Sequence, residues 1–235
     1  MVSNDDAGQF VLDEEFFEEE LKRKLVSANV ELEPIKNNMQ FRFALSRRQR
    51  QELIDVAGSY NDTHELMIIL QLMTGIRIGE VVNLELSDLF IEDIANAEIW
   101  IQMKITDDGK GNEMLAWKPK TASGSRRVSI PEDVVKKLKR YIGKHRKKKG
   151  YLFVSNKGDK YREDTAIHFI NKYAKECKTI HHNIGSNVMR RTYASILIDD
   201  EVPIGIISKK LGHASMEITM KYLFDIESSV RDDVK

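Results

Sequence analysis

The sequence predicts an α+β fold: a mainly helical domain that carries one small three-stranded antiparallel sheet. Three observations support the helical and sheet parts. Apolar residues recur at helical spacing through most of the chain. Three short stretches between Glu98 and Ile130 instead alternate polar with apolar or β-branched residues, punctuated by Asp107-Asp108-Gly109 and Ser123-Gly124. With 235 residues the chain is long enough to bury an ample core without disulfides or metal staples.

The elements follow in chain order. Residues 1–45 form an acidic N-terminal segment whose one helical pattern, Glu14 to Ala28, presents Phe16, Phe17, Leu21 and Leu25 on one face. The domain begins at Ser46, where Ser46-Arg47-Arg48-Gln49 has capping-box form and Leu53, Ile54 and Ala57 supply the apolar face. A nearly all-apolar helix runs from Thr63 to Met73. Gly75 breaks it, so that Arg77 starts a short new helix toward Leu84.

Glu98 to Lys104, Glu113 to Trp117 and Arg126 to Ile130 are the three strands expected in the sheet. Pro131 opens a helix that reads on to about Lys148 and closes at Gly150. After an extended Tyr151 to Val154, helices are expected at Asp164 to Cys177, Ser186 to Ile198, Pro203 to Leu211 and Ser215 to Phe224. This places a domain over 46–224, with a polar tail at 225–235.

Composition restricts the function classes. The single Cys177 suits a reducing compartment and excludes an internal disulfide. No stretch approaches the roughly 20 apolar residues of a membrane span, so a cytoplasmic protein with no membrane partner is expected. The 37 basic and 37 acidic residues sum to zero, yet eight acids and no Lys or Arg lie within the first 20 residues. Everything after them is therefore net positive, a balance that suits a nucleic-acid partner.

Four residues invite a chemical reading. Arg190, His213 and Tyr222 follow one another at spacings of 23 and 9 residues, within NVMRRTYAS and LGHASMEITMKYLFD, and Arg77 stands far upstream in TGIRIGE. Two guanidiniums, an imidazole and a phenol are the groups an enzyme needs to attack a phosphodiester through a tyrosine. Each has a plain reading as well. Arg190 and Arg191 read as solvated helix cations, Arg77 as an ion-pair partner of Glu80, His213 as a cap residue and Tyr222 as core. Asn187 lies on the helix face of Arg190, bordering an apolar stripe of Met189, Tyr193, Ile196 and Leu197.

Taken together these segments resemble the catalytic domain of the tyrosine recombinase (phage integrase) family over about Leu45 to Phe224. TGIRIGEVVNLELSDL is similar to the family's first arginine box, with Arg77 at its catalytic arginine and Glu80 and Asp88 at its supporting acids. NVMRRTYAS is similar to the second box with Arg190, and LGHASMEITMKY to the closing box with His213 and the nucleophile Tyr222. KPKTASGSRRVSIPEDV fits the hairpin that carries the family's catalytic lysine, placing Lys120 there because it directly precedes Thr121; Lys118 is the neighbouring alternative. The chain departs from the pattern at Asn187, where the family usually has His, since an amide cannot take up a proton near neutral pH.

The resemblance implies a site-specific recombinase that cleaves and rejoins double-stranded DNA through a 3′-phosphotyrosyl intermediate, with no cofactor and no metal. It implies roles for Lys118, Arg126, Arg127 and Arg191 in gripping DNA, and a homo-oligomer, a tetramer in synapsis. Two other functions share these residues. One is a recombinase-fold DNA-binding or regulatory module weakened in catalysis at Asn187; the other is DNA relaxation like that of type IB topoisomerases. Residues 1–45 are too few for the N-terminal DNA-binding domain of roughly 100 residues that such recombinases carry.

Overall fold

The computed structural model describes residues 44–220, apart from 108, 109, 111 and 121–123. The acidic segment with its expected helix at 14–28, the tail at 225–235 and Tyr222 lie outside the described residues. Within them, helices α1 (Arg47–Tyr60), α2 (Asp62–Thr74), α3 (Ile78–Val82), α4 (Glu132–Lys144), α5 (Glu163–Glu176), α6 (Ser186–Asp199) and α7 (Ile204–Leu211) are joined by five strands. These are β1 (Leu89–Phe90), β2 (Glu98–Ile101), β3 (Lys104–Asp107), β4 (Glu113–Trp117) and β5 (Arg126–Ser129). Residues 216–220 form a further helical turn.

Local chemistry sets the boundaries. Ser46 and Gln49 make both halves of the capping box, as the sequence predicts, and start α1. Asn61 then accepts the amide protons of Thr63 and His64 and starts α2, which is buried along nearly its whole length. Such a helix needs neighbours on every side, and α1, α4, α5 and α6 pack around it. Helix α4 ends at Lys144, four residues earlier than the sequence predicts. Arg146 adopts a left-handed φ of 49°, while Lys144 and His145 both bond to Asp62 at the start of α2.

The sheet holds three antiparallel strands, but not the three expected. Its order is β1-β2-β5, with Trp100 opposite Arg127 and Ile99 opposite both Leu89 and Val128. Glu113–Trp117 pairs instead with its sequence neighbour Lys104–Asp107 in a separate two-stranded ribbon, and the short Leu89–Phe90 takes the third place. Alternation divides the sheet's faces: Ile99, Ile101 and Val128 enter the core, while Phe90, Trp100 and Arg127 lie outside. Lys104 also turns inward, to pair with the fully buried Asp88.

Gly75 stops α2 with a left-handed φ of 64°. A Cβ there would lie 2.3 Å from Tyr193 Cδ1, so glycine is required by space as well as by conformation. The break brings the end of α2, the start of α3 and the buried face of α6 to one place, at the C-terminal end of α7.

Candidate active site

Arg77 caps α3 in an unusual way. Its amide donates to Glu80 Oε2 at 2.7 Å and its guanidinium to Glu80 Oε1 at 3.0 Å, so one carboxylate holds both ends of the residue. Only 23% of the Arg77 side chain is exposed. Glu80 itself is buried and also receives both Nη atoms of Arg126, each at 3.0 Å. Burial works to raise the pKa of Glu80. The hydrogen bonds and charge of Arg126, the Arg77 amide and the charge of Arg190 outweigh it and hold the group below its ordinary value.

Arg190 is 2% exposed, which rules out a solvated helix cation. Its Nη1 donates to the carbonyl of Gly75, the residue that breaks α2. Its Nη2 donates to the Leu211 carbonyl at 2.7 Å and lies 3.4 Å from His213 Nε2. The opposite ring nitrogen, Nδ1, lies 2.8 Å from the hydroxyl of Thr219, which is fully buried in the turn at 216–220. Arg77, Arg190 and His213, separated by up to 136 positions in sequence, are thus near neighbours: the charges of both arginines act on His213, and Arg77 is hydrogen-bonded to Glu80, on which the charge of Arg190 also acts.

Arg126 requires a correction. The sequence predicts that it grips DNA from the hairpin, but its side chain is 7% exposed and turned inward. Besides Glu80 it donates to the carbonyls of Lys210 and Gly124, both at 3.0 Å, so four of its five donor positions are occupied within the protein. It is a strut that joins α3, the return strand of the hairpin and the end of α7. Gly212, at φ 64°, leaves room for it: a Cβ there would approach Arg126 Cδ to 3.0 Å. Arg127, one residue on and hence on the opposite sheet face, is 50% exposed, pairs with Glu98 at 3.2 Å and lies over the rings of Phe90 and Trp100.

The remaining candidates are placed less centrally. Lys118 and Lys120 are exposed in the connection between β4 and β5. Asn187 is exposed on the first turn of α6, and Arg191 is half-buried beside Arg190. The neighbour of Asn187 has a larger structural part: Ser186 Oγ accepts the Ile78 amide and the Gln71 side-chain amide, both at 3.3 Å, and so ties α6 to α3 and α2. Asp88, expected to support the arginines, is engaged instead by Lys104, by Gln102 at 3.1 Å and by the Glu85 amide.

Among the described residues no group of three or more His, Cys, Asp or Glu is placed to hold a metal ion. Nor is any helix among them long and apolar enough to cross a membrane. Three guanidiniums surround one carboxylate and one imidazole, and planar N–H forks match the tetrahedral oxygens of a phosphate.

Burial and the charges of Arg190, Arg77 and Arg126 push the pKa of His213 down from 6.5 to about 4. Burial and Lys172 do the same for His64, whose ring nitrogens face the hydroxyls of Tyr173 and Tyr161 at 2.6 and 3.1 Å. Both imidazoles are therefore neutral in the folded protein at pH 6.5, while the unfolded chain begins to take up protons there. Stability should fall as the pH drops from 6.5 toward 4. Carboxylates with lowered pKa values add their own loss only from about 4.5 downward. Urea midpoints measured between pH 7 and 5 should decline, and His64→Gln should flatten that decline; a flat wild-type profile would contradict the burial argument.

Comparison with known proteins follows the same lines. The phage integrase family profile matches residues 44–227. Tyrosine recombinase XerA of Pyrococcus horikoshii is 25% identical over 182 residues, a match that covers 76% of this chain and 55% of that protein. The crystal structure of XerA recombinase aligns with a TM-score of 0.62 at 27% identity, over 80% of this chain and 62% of that one. The Tn1549 transposon integrase, solved in complex with transposon right end DNA, aligns with a TM-score of 0.63 over 89% of this chain and 69% of that one. At 19% identity it shares the fold. The chain spans a little over half the length of the first curated relatives it matches.

Proposed function

We infer the function from one premise, that this chain belongs to the phage integrase family: it is a site-specific recombinase that cleaves and rejoins double-stranded DNA through a 3′-phosphotyrosyl intermediate. The observation that carries this reading is the meeting of Arg77, Arg190 and His213 beside the buried Glu80. Relatives named tyrosine recombinases, and a neighbour of the same fold solved on DNA, support it from outside the chain.

In this reading the catalytic unit is residues 46–224. Arg77 and Arg190 hold the non-bridging oxygens of the scissile phosphate and offset the charge that grows there in the transition state. His213, neutral, hydrogen-bonds the same phosphate. The Tyr222 oxygen attacks phosphorus as its phenolic proton passes to water, the bond to the 5′-oxygen breaks, and Lys120 donates the proton which that leaving oxygen requires. The phosphotyrosine conserves the bond, so a second DNA end is joined by the reverse exchange without ATP. Asn187 occupies the position that is usually His and supplies a hydrogen bond rather than a proton acceptor.

Lys118, Arg127 and Arg191 are the DNA-gripping cations of this reading, and Arg126 is withdrawn from that role. Assembly as a tetramer on DNA, and a cytoplasmic, DNA-associated location, belong to the same reading. The test is incubation with a pool of nicked duplexes of randomised core sequence, followed by denaturing electrophoresis and peptide mapping. A protein–DNA adduct whose attached peptide contains Tyr222 is expected. Absence of any adduct, or attachment elsewhere, would count against the reading; relaxation of supercoiled plasmid with no site preference would point to topoisomerase activity.

A further inference from the structure

Two polar groups among the described residues lie against His213, one at each ring nitrogen, and their chemistry bears on where its proton lies. Arg190 Nη2, 3.4 Å from Nε2, can only donate. The Nε2 that faces it is therefore the bare nitrogen, and the ring proton sits on Nδ1, donated to Thr219 Oγ1 at 2.8 Å. A non-bridging phosphate oxygen imposes the opposite requirement, because it only accepts. To bond it from Nε2, a neutral ring must carry its proton on Nε2, and Nδ1 is then left needing a donor.

We propose that Thr219 is a positioning residue whose hydroxyl serves both neutral forms of His213, accepting from Nδ1–H in the free site and donating to bare Nδ1 once a phosphate oxygen takes the Nε2–H. The proposal rests on the reading of this pocket as a phosphodiester site. One proton leaves Nδ1 for water and one arrives at Nε2 from water, so the ring remains neutral, and the hydroxyl only rotates. A carboxylate in this place would lock the proton on Nδ1, and an aliphatic side chain would serve neither form.

Two further observations agree. Thr219 is fully buried, so water does not substitute freely for its hydroxyl. It also lies in the helical turn at 216–220, three positions before Tyr222 in sequence, so the contact ties the imidazole to the segment that leads to the proposed nucleophile.

The variants Thr219→Val and Thr219→Ser test this, with the intact chain labelled with 15N in histidine. His213, one of six histidines, is assigned by loss of its signals in His213→Gln. Two-bond proton–nitrogen spectra at pH 7.5 should show the Nδ1–H form for the wild type and Thr219→Ser, moving toward Nε2–H as inorganic phosphate is added. Thr219→Val should show a mixture without phosphate and a weakened response to it. Adduct formation on the nicked duplexes should fall about 10- to 100-fold in Thr219→Val, the range seen when the partner that orients an essential imidazole is lost, with most of the rate restored in Thr219→Ser. A wild type that responds to phosphate alongside a Thr219→Val that responds and cleaves identically overturns the Thr219 proposal alone. A wild-type spectrum that phosphate leaves unmoved overturns the reading of the pocket and this proposal with it.

Discussion

Arg190→Ala should reduce single-turnover DNA cleavage by about 10³-fold or more, the scale on which guanidiniums that stabilise a phosphoryl transition state act. DNA binding in a gel-shift assay should change far less, because most affinity comes from many phosphate contacts rather than from one. Lysine should not rescue the loss. The guanidinium serves the Gly75 and Leu211 carbonyls at once while facing His213, and a single ammonium cannot reproduce that planar spread of donors. Cleavage by Arg190→Ala within tenfold of the wild type would remove this residue from the proposed chemistry.

Glu80→Ala should destabilise the fold by ~3–5 kcal/mol, the loss typical when one partner of a buried ion pair is removed. Two guanidiniums depend on this carboxylate, and the one from Arg126 is buried with it. The contribution has a definite pH window. Because the folded pKa of Glu80 is depressed, the carboxylate stabilises the protein above its ordinary value of 4.5, and that stabilisation is lost as the pH falls through the lower folded value. The difference between wild type and Glu80→Gln in urea unfolding should therefore be full at pH 6 and shrink in acid. An equal difference at pH 6 and pH 3 would show that ionisation of Glu80 is irrelevant. Cleavage should fall in both variants, since Arg77 loses the group that fixes its amide and its fork.

Much of this site was legible in the sequence because its signals are local. Gly75 as a break, Arg77 at a helix start, Glu80 as its partner three residues on, and the Ser46–Gln49 box all rest on short-range rules, and the structure places each as expected. The misses share the opposite cause. The two-residue β1 is too short to show a period, so the longer β4 stands in its place in the sequence reading, whereas in the structure β4 pairs with β3. Arg126 and Arg127 look alike in composition, yet adjacent strand residues point to opposite faces, and only the inward one can reach Glu80, 46 positions away. A partner at that separation leaves no trace in local spacing. Thr219 was missed for a related reason: its hydroxyl matters through the imidazole it touches, six residues back along an irregular turn.

The end of α7 gives these arginines a second meaning. The carbonyls of Lys210 and Leu211 are among the last of that helix, and they are taken by Arg126 and Arg190. Aligned peptide dipoles concentrate about half a negative charge at such a terminus. The helix thus acts as a built-in counter-ion, and the two cations stay ordered in a dry interior rather than swinging out to water. In the proposed reaction a phosphate would meet the Arg190 guanidinium already fixed in place, so that little side-chain rearrangement would be left to oppose it.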